Sequence, residues 1–266
     1  MVKRSFHWRA FLALWLASLV GIFAVLPASL TLQSPLLSKV ELPIAFELLL
    51  ALQVGQNAVL FAIATALGLM LAQRVGLGVP LLDAFFAGKD VKSQARAILL
   101  PSSGLGTLVA LAIATLDSLI FVPVLKMELG DLAQPLTPTG VALPAWQGLL
   151  GSLYGGINEE IFFRLFFLSL FAFLGKRVHR TTDRRPALGV LWVANILAAL
   201  LYGLGHLPNL AMIVPLSAGV IMRIVLLNGL AGIVFGYLYF TRGLEAAILS
   251  HFTADVFLHV LLPLVV

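Results

Sequence analysis

Cysteine is absent from this chain of 266 residues, and charged residues are scarce. The absence of cysteine excludes disulfide bonds and thiolate chemistry, and it leaves histidine and the carboxylates as the only strong metal ligands. Asp, Glu, Lys and Arg make up 11% of the residues, whereas a soluble domain carries about 25%. Hydrophobic residues make up 61%, and the mean hydropathy is +1.05. This composition excludes a soluble globular protein and indicates an integral membrane protein.

The apolar residues form runs of about 20 or more, the length that a helix needs to cross a hydrocarbon core about 30 Å thick. Membrane strands would instead show shorter segments of alternating apolar and polar residues. We therefore predict an all-α fold, a polytopic transmembrane helical bundle of about seven or eight helices. Residues 1–266 are expected to form a single integral membrane domain in the lipid bilayer. The predicted spans are 10–31, 43–73, 99–125, 147–174, 187–208, 210–240 and 244–264.

The basic residues account for a formal net charge of +5, and most of them stand in short segments between the spans. Such a pattern predicts membrane orientation rather than nucleic-acid binding, because Lys and Arg in short loops stay on the cytoplasmic side. The N-terminus is therefore expected to be cytoplasmic, and no nucleic-acid partner is expected. The basic segments are the N-terminus (Lys3, Arg4, Arg9), the loop 74–98 (Arg74, Lys89, Lys92, Arg96) and the loop 176–185 (Lys176, Arg177, Arg180, Arg184, Arg185).

The segment 210–240 leaves the topology open. It contains Pro215 and Gly219 and carries Arg223 near its middle. It suits either one long tilted span or a short re-entrant piece followed by a span. We expect Arg223 to pair with Asp117 of the third span, since an unpaired charge at membrane depth is costly.

Three short polar clusters interrupt the later apolar spans. Ionisable groups at membrane depth cost several kcal/mol unless they are paired, so they are rare there and indicate a functional site. Histidines together with carboxylates are typical of proton transfer or metal binding. The clusters are Glu159-Glu160-Ile-Phe-Phe-Arg164, Tyr202-Gly-Leu-Gly-His206 and His251-Phe-Thr-Ala-Asp255.

In the first cluster, Glu160 and Arg164 stand four positions apart and can pair along one helix face. Glu159 points about 100° away from Glu160, so this pairing leaves Glu159 free to face a cavity. A free carboxylate in that position suits a general base. The structural alternative is a salt-bridged helix with a spare glutamate at a helix contact.

The other two clusters each place two polar groups one helical turn apart. Tyr202 and His206 share a face near a helix end that Pro208 signals, and His206 on its own is more typical of a hydrogen-bonding interface residue. Asp255 can orient His251 or share a metal ion with it, and the alternative is a polar stripe that stabilises helix packing. Because the clusters lie on three different helices, we expect them to converge on one site.

The three motifs in this order resemble those of the CAAX-protease and bacteriocin-processing (CPBP, or Abi) family of intramembrane endopeptidases. The patterns are Glu-Glu-x-x-x-Arg, aromatic-x-x-x-His and His-x-x-x-Asn/Asp on successive late helices. The resemblance covers about residues 145–260, which would form the catalytic core of a helical bundle around an intramembrane cavity. The implied catalytic residues are Glu159, His206, His251 and Asp255, and the implied supporting residues are Glu160, Arg164 and Tyr202.

The resemblance also implies roles for these residues. Glu159 and His206 would activate the attacking water, while His251 and the residue at 255 would stabilise the oxyanion. Many members of the family have Asn where this chain has Asp255, and an ionised aspartate cannot donate to an oxyanion. Asp255 is therefore expected either to be protonated through burial or to orient His251.

Metal dependence is open at this stage, because the family has been viewed both as metallopeptidases and as metal-free peptidases that depend on glutamate. The chain has no His-Glu-x-x-His pair on one helix. We expect no cofactor, and the alternative is a zinc ion bound by Glu159, His206 and His251.

These observations predict an intramembrane endopeptidase in the cytoplasmic (inner) membrane of a prokaryote. Its substrate would be a membrane-associated peptide or a membrane-anchored protein, cleaved near a C-terminal anchor. Two other classes stay open, a proton-coupled transporter that uses the same carboxylates and a catalytically idle immunity or scaffold protein. The lack of inverted repeats counts against a transporter, and the complete set of motifs counts against an idle protein.

Overall fold

The computed structural model describes residues 6–37, 44–136 and 143–265, and these residues form a bundle of helices without a β-strand. The all-α fold is therefore confirmed. Within the described ranges, six helices are long and apolar enough to cross a membrane, so the chain is a multi-pass membrane protein. Lys3 and Arg4, which the charge pattern assigns to the cytoplasmic side, lie outside the described residues.

The helices follow the predicted spans closely. The first four are α1 (Trp8–Leu37), α2 (Phe46–Val75), α3 (Pro80–Phe86) and α4 (Lys92–Leu116), and α4 continues through a π-helical segment (Asp117–Phe121) into Val122–Leu129. The central helix α5 consists of Ala145–Tyr154, the π-helical segments Gly155–Glu159 and Ile161–Leu168, and Ser169–Gly175. The last four are α6 (Leu188–Gly205), α7 (Leu207–Leu210), α8 (Ala218–Arg242) and α9 (Leu244–Val256), and α9 continues as a π-helical segment (Phe257–Leu261).

Helix α5 occupies the centre of the bundle and packs against α1, α2, α6, α8 and α9. Its two π-helical segments have i→i+5 hydrogen bonds, which place more residues in each turn than an α-helix does. The segments therefore shorten α5 per residue, and they lie where the first polar cluster falls. Helices of this kind are frequent at functional sites.

The segment 210–240 contains a single long helix, and this helix is shorter than the apolar run predicts. Helix α7 ends at Leu210, and α8 begins only at Ala218, with the hydroxyl of Ser217 accepting a hydrogen bond from the backbone N–H of Val220 at 3.2 Å. Pro215 lies in the connection, where its missing N–H costs no helical hydrogen bond. The segment thus consists of a short non-helical piece followed by one helix that is long enough to span the membrane.

Helices α8 and α9 form a hairpin around Gly243. This residue has φ = 100°, and a Cβ there would lie 2.3 Å from Cδ of Pro80, so both its backbone conformation and its close contact require glycine. Phe235 and His251 stand eight positions before and after Gly243. The hairpin therefore brings these two side chains to the same depth in the bundle.

Candidate active site

The carboxylate of Glu160 lies at the closed end of the polar region and has two partners. Its Oε1 is 3.0 Å from Nη1 of Arg164, and it accepts a hydrogen bond from Nδ1 of His251 at 2.8 Å. The side chains of Glu160 and Arg164 are completely buried. The structure thus contains the Glu160–Arg164 pair that the spacing predicts, and it adds His251 from α9 as a third member.

The guanidinium of Arg164 is enclosed by aromatic rings. It lies 4.6 Å from the centre of the Tyr202 ring and 5.5 Å from that of Phe235, at distances where cation–π attraction operates. The Phe235 ring in turn stacks on the His251 ring, with centroids 4.5 Å apart and an angle of 19° between the planes. These contacts hold both Arg164 and His251 in defined orientations.

His251 presents its second ring nitrogen to the open side of the site. A carboxylate only accepts hydrogen bonds, so the contact with Glu160 places a proton on Nδ1. Nε2 then lies 3.2 Å from the Tyr202 hydroxyl, 3.5 Å from Oδ2 of Asp255 and 3.8 Å from Oε2 of Glu159. Glu160, rather than Asp255, therefore makes the close contact that orients the ring.

His206 is oriented in a comparable way by the backbone. Its Nδ1 donates to the carbonyl oxygen of Tyr202 at 2.8 Å, which leaves Nε2 facing Oε1 of Glu159 at 4.0 Å. The side chains of His206 and Glu159 keep exposures of 33% and 21%. Both groups are thus reachable by water, unlike the Glu160 carboxylate.

The structure brings together the four side chains that the resemblance implies as catalytic, Glu159, His206, His251 and Asp255. Although residues 210–240 contain a single long helix, Nε2 of His251 lies 3.8 Å from Oε2 of Glu159. The shortened α5 and the hairpin around Gly243 place Glu159 and His251 at the same depth in the bundle. The transmembrane partner predicted for Arg223 is also correct, because Arg223 donates to both carboxylate oxygens of Asp117 at 2.6 and 2.7 Å.

Two residues of the site escape the sequence reasoning. Phe235 is one apolar residue among many in α8, and nothing in the sequence singles it out. Gly155 is signalled only by the pair Gly155-Gly156 ahead of the first cluster. A Cβ on Gly155 would lie 2.2 Å from Oδ2 of Asp255 and 3.2 Å from Nε2 of His251, so a side chain there would displace the carboxylate.

The same groups fit zinc poorly. Two nitrogen or oxygen ligands of a tetrahedral zinc ion, each about 2.0–2.1 Å from the metal, lie about 3.3 Å apart. The separations of Glu159 from the two histidines are 3.8 and 4.0 Å. In the part of the chain that the structure describes, no group of three His, Asp or Glu side chains is arranged to hold a metal ion.

Residues 141–257 match the family model described as Type II CAAX prenyl endopeptidase Rce1-like. This segment of the chain is therefore similar to the CAAX-protease family. The match includes the seven residues that the resemblance implies as catalytic or supporting, and it ends two residues after Asp255. No curated protein and no solved structure matches the chain.

This match agrees with the resemblance that the motifs carry. It supports an intramembrane endopeptidase, and therefore a protease, as the class of this chain. The matched segment begins just before α5 and includes every helix that contributes a side chain to the polar clusters.

Proposed function

We propose that this CAAX-family protease hydrolyses a peptide bond with a water molecule activated by Glu159 and His206. The observation that carries the proposal is the position of the Glu159 carboxylate, within 4.0 Å of Nε2 of His206 and 3.8 Å of Nε2 of His251. These separations are too long for direct hydrogen bonds and suit a bridging water. Glu159 would take one proton from this water as its oxygen attacks the carbonyl carbon.

The oxyanion formed by this attack needs donors on its other side. His251 is suited to this role, because the Glu160 carboxylate stabilises its protonated form and Nε2–H then points into the site. Asp255 lies beside Nε2 and would donate as well when it is protonated. As the C–N bond breaks, the proton held by Glu159 would pass to the leaving amine, which balances the reaction.

The substrate we propose is a membrane-associated peptide or a membrane-anchored protein cleaved near its C-terminal anchor. The site supports this choice because its groups are reached through a cavity inside the bundle rather than from an exposed surface. The transporter alternative gains no support from the geometry, since the proposed hydrolysis gives each of these groups a role. The proposed location is the cytoplasmic membrane of a prokaryote.

The first test is the substitution Glu159→Gln, which preserves shape and removes basicity. We expect cleavage to fall by a factor of at least ~10², with thermal unfolding close to that of the wild type. The measurement uses the purified protein in liposomes and a library of internally quenched peptides that end in an apolar segment. Glu47→Gln, at an exposed glutamate of α2, is the matched control and should leave cleavage unchanged. Near wild-type turnover in Glu159→Gln would show that the proposed mechanism is wrong.

The second test concerns zinc and Asp255. We propose a metal-free reaction, so the purified enzyme should contain far less than one zinc ion per chain and should tolerate strong chelators. Asp255→Asn should then retain or increase activity. The side-chain amide of Asn can always donate a hydrogen bond to the oxyanion, whereas an aspartate can donate only when it is protonated. If zinc is bound and Asp255 orients a ligating histidine, the same substitution should lower metal affinity by roughly 10–100-fold. Stoichiometric zinc, with activity restored only by adding the metal back, would overturn the metal-free proposal.

A further inference from the structure

One large cavity, with a volume of about 880 Å³, leads to the catalytic groups. It is lined by the C-terminal parts of α1, α4, α6 and α9 and by the N-terminal parts of α2, α5 and α8. Because successive spans alternate in direction, these parts all lie at the same end of the bundle. Glu159, Tyr202, Phe235 and His251 belong to its lining. On each of their helices, they are the lining residues farthest from the cavity end of the bundle, so they form the floor of the cavity.

The bundle is closed below this floor. Leu165, Leu168, Leu238 and Leu244 have no exposed surface, and the hydroxyls of Ser169 and Tyr239 are hydrogen-bonded at 2.7 Å in the same layer. Protein interiors packed in this way contain no passage for a polypeptide. In the part of the chain that the structure describes, the catalytic groups are therefore reached through the cavity, from one end of the bundle only.

The opposite end of the bundle carries the positive charge. The described basic residues stand at the start of α1 (Arg9), in the segments that connect α2 to α4 and α5 to α6, and at the end of α8 (Arg242). All of these positions lie at the end away from the cavity. Among the described residues, the connections at the cavity end contain no lysine or arginine, and Lys126 lies at this end within the helical segment Val122–Leu129. Lysines and arginines in short loops remain in the cytoplasm. The closed end of the bundle therefore corresponds to the cytoplasmic side.

We infer that the active site opens to the outer face of the membrane, and that its substrates are polypeptides presented from that face. Such a substrate is a peptide or anchored segment that has already crossed or inserted into the membrane, rather than a cytoplasmic C-terminus. The wall of the cavity carries several carboxamide side chains, which can both donate to and accept from a peptide backbone. Those that line it are Gln33, Gln53, Asn57, Gln147, Asn209 and Asn228.

This inference rests on the proposed function only for what happens to the substrate, whereas access can be measured without catalysis. The natural chain has no cysteine, so single cysteines can be introduced without further changes. Asn209→Cys places a thiol at an exposed position on the cavity rim, and Thr182→Cys places one in the exposed basic loop. Cells that express the full chain are treated with a membrane-impermeant maleimide before and after lysis.

We expect Asn209→Cys to be labelled fully in intact cells, with no gain on lysis, and Thr182→Cys to be labelled only after lysis. Labelling of Thr182→Cys in intact cells, or of Asn209→Cys only after lysis, would overturn the inference. A peptidase assay of Thr182→Cys should give the wild-type rate, since Thr182 lies in the basic loop and does not line the cavity.

A neighbouring pair on α4 tests whether water reaches the cavity itself. Ser118 lines the cavity, whereas Leu119 is 73% exposed and lies outside that lining, so that it faces lipid. Ser118→Cys should be labelled in intact cells and Leu119→Cys should not, and equal labelling of the two would show that the cavity is not an outward-facing aqueous space. If the labelling is as expected but Glu159→Gln cleaves normally, the proposed function fails and the outward access stands. If the labelling is reversed and Glu159→Gln is inactive, the function stands and the access is wrong.

Discussion

The two adjacent glutamates of α5 lie in regions of opposite character. Glu160 is in a closed region, where its side chain is completely buried and contacts both Arg164 and His251. Glu159 is in an open region at the cavity floor, with a side chain that is 21% exposed and has no partner closer than 3.8 Å among its ion-pair contacts. One position along the helix therefore separates a carboxylate whose contacts are fixed from one whose contacts are available to a substrate or water.

This difference shows how a membrane protein can hold reactive groups at depth. The closed region balances a buried negative charge with a buried positive one and surrounds the latter with aromatic rings, so the charges are paired as the interior requires. The same region fixes the His251 ring through its Nδ1 and its stacking on Phe235. The open region can then keep Glu159 and His206 loosely paired, because their positions do not hold the fold together.

The largest effect we expect comes from breaking the closed region. Glu160→Gln removes the negative charge and leaves Arg164 buried without its counter-charge, which should lower the free energy of unfolding by about 3–5 kcal/mol and abolish cleavage. Denaturation in detergent, followed by circular dichroism, measures the first effect. The double substitution Glu160→Gln with Arg164→Met should restore much of the stability and none of the activity. An unchanged unfolding transition in Glu160→Gln would contradict the structural role given to this pair.

A smaller effect should follow from closing the open region at one point. Gly155→Ala places a methyl group where the Asp255 carboxylate now lies, and a displacement of about 1 Å in a catalytic group can cost up to ~10²-fold in rate. Gly151→Ala is the matched control, one turn earlier on α5, where a Cβ meets nothing within 4 Å. We expect Gly155→Ala to lose activity in the peptide-cleavage assay while Gly151→Ala retains it. Equal cleavage rates for the two variants would show that Asp255 takes no part in the reaction.

Sequence reasoning predicts the features that depend on short spacing or on the cost of a charge in lipid. The Glu160–Arg164 pair follows from the four-residue spacing, and the Asp117–Arg223 pair follows because each charge lies within an apolar span and needs a partner. The boundaries of most spans follow from the length of the apolar runs. These features are local or electrostatic, so one amino-acid sequence is enough to predict them.

The features that the sequence does not predict are contacts between helices far apart in the chain. Sequence reasoning assigns Asp255 as a partner of His251 because the two share a helix, but the close contact comes from Glu160, 91 positions away. The π-helical form of α5 has no recognisable signal in the residues, and it changes which side chains reach the same depth. The depth of His251 relative to Glu159 therefore depends on this local form and on the hairpin around Gly243.

The smallest expected effect is at Tyr202, which belongs to both regions. Its ring lies over the Arg164 guanidinium in the closed region, while its hydroxyl is 3.2 Å from Nε2 of His251 at the edge of the open one. Tyr202→Phe keeps the ring and removes only this hydrogen bond, whose net worth of about 0.5–1.5 kcal/mol corresponds to a change between about twofold and tenfold.

We expect this change to appear in the cleavage rate, with the unfolding transition unaltered, because the ring that packs on Arg164 is retained. Tyr202→Leu, which removes the ring as well, should destabilise the protein, since Arg164 then loses its cation–π contact at 4.6 Å. Rates and unfolding curves for the two variants, measured side by side, separate the two functions of this residue. Loss of stability in Tyr202→Phe equal to that in Tyr202→Leu would mean that the hydroxyl belongs to the closed region, and that the boundary between the regions lies on the cavity side of Tyr202.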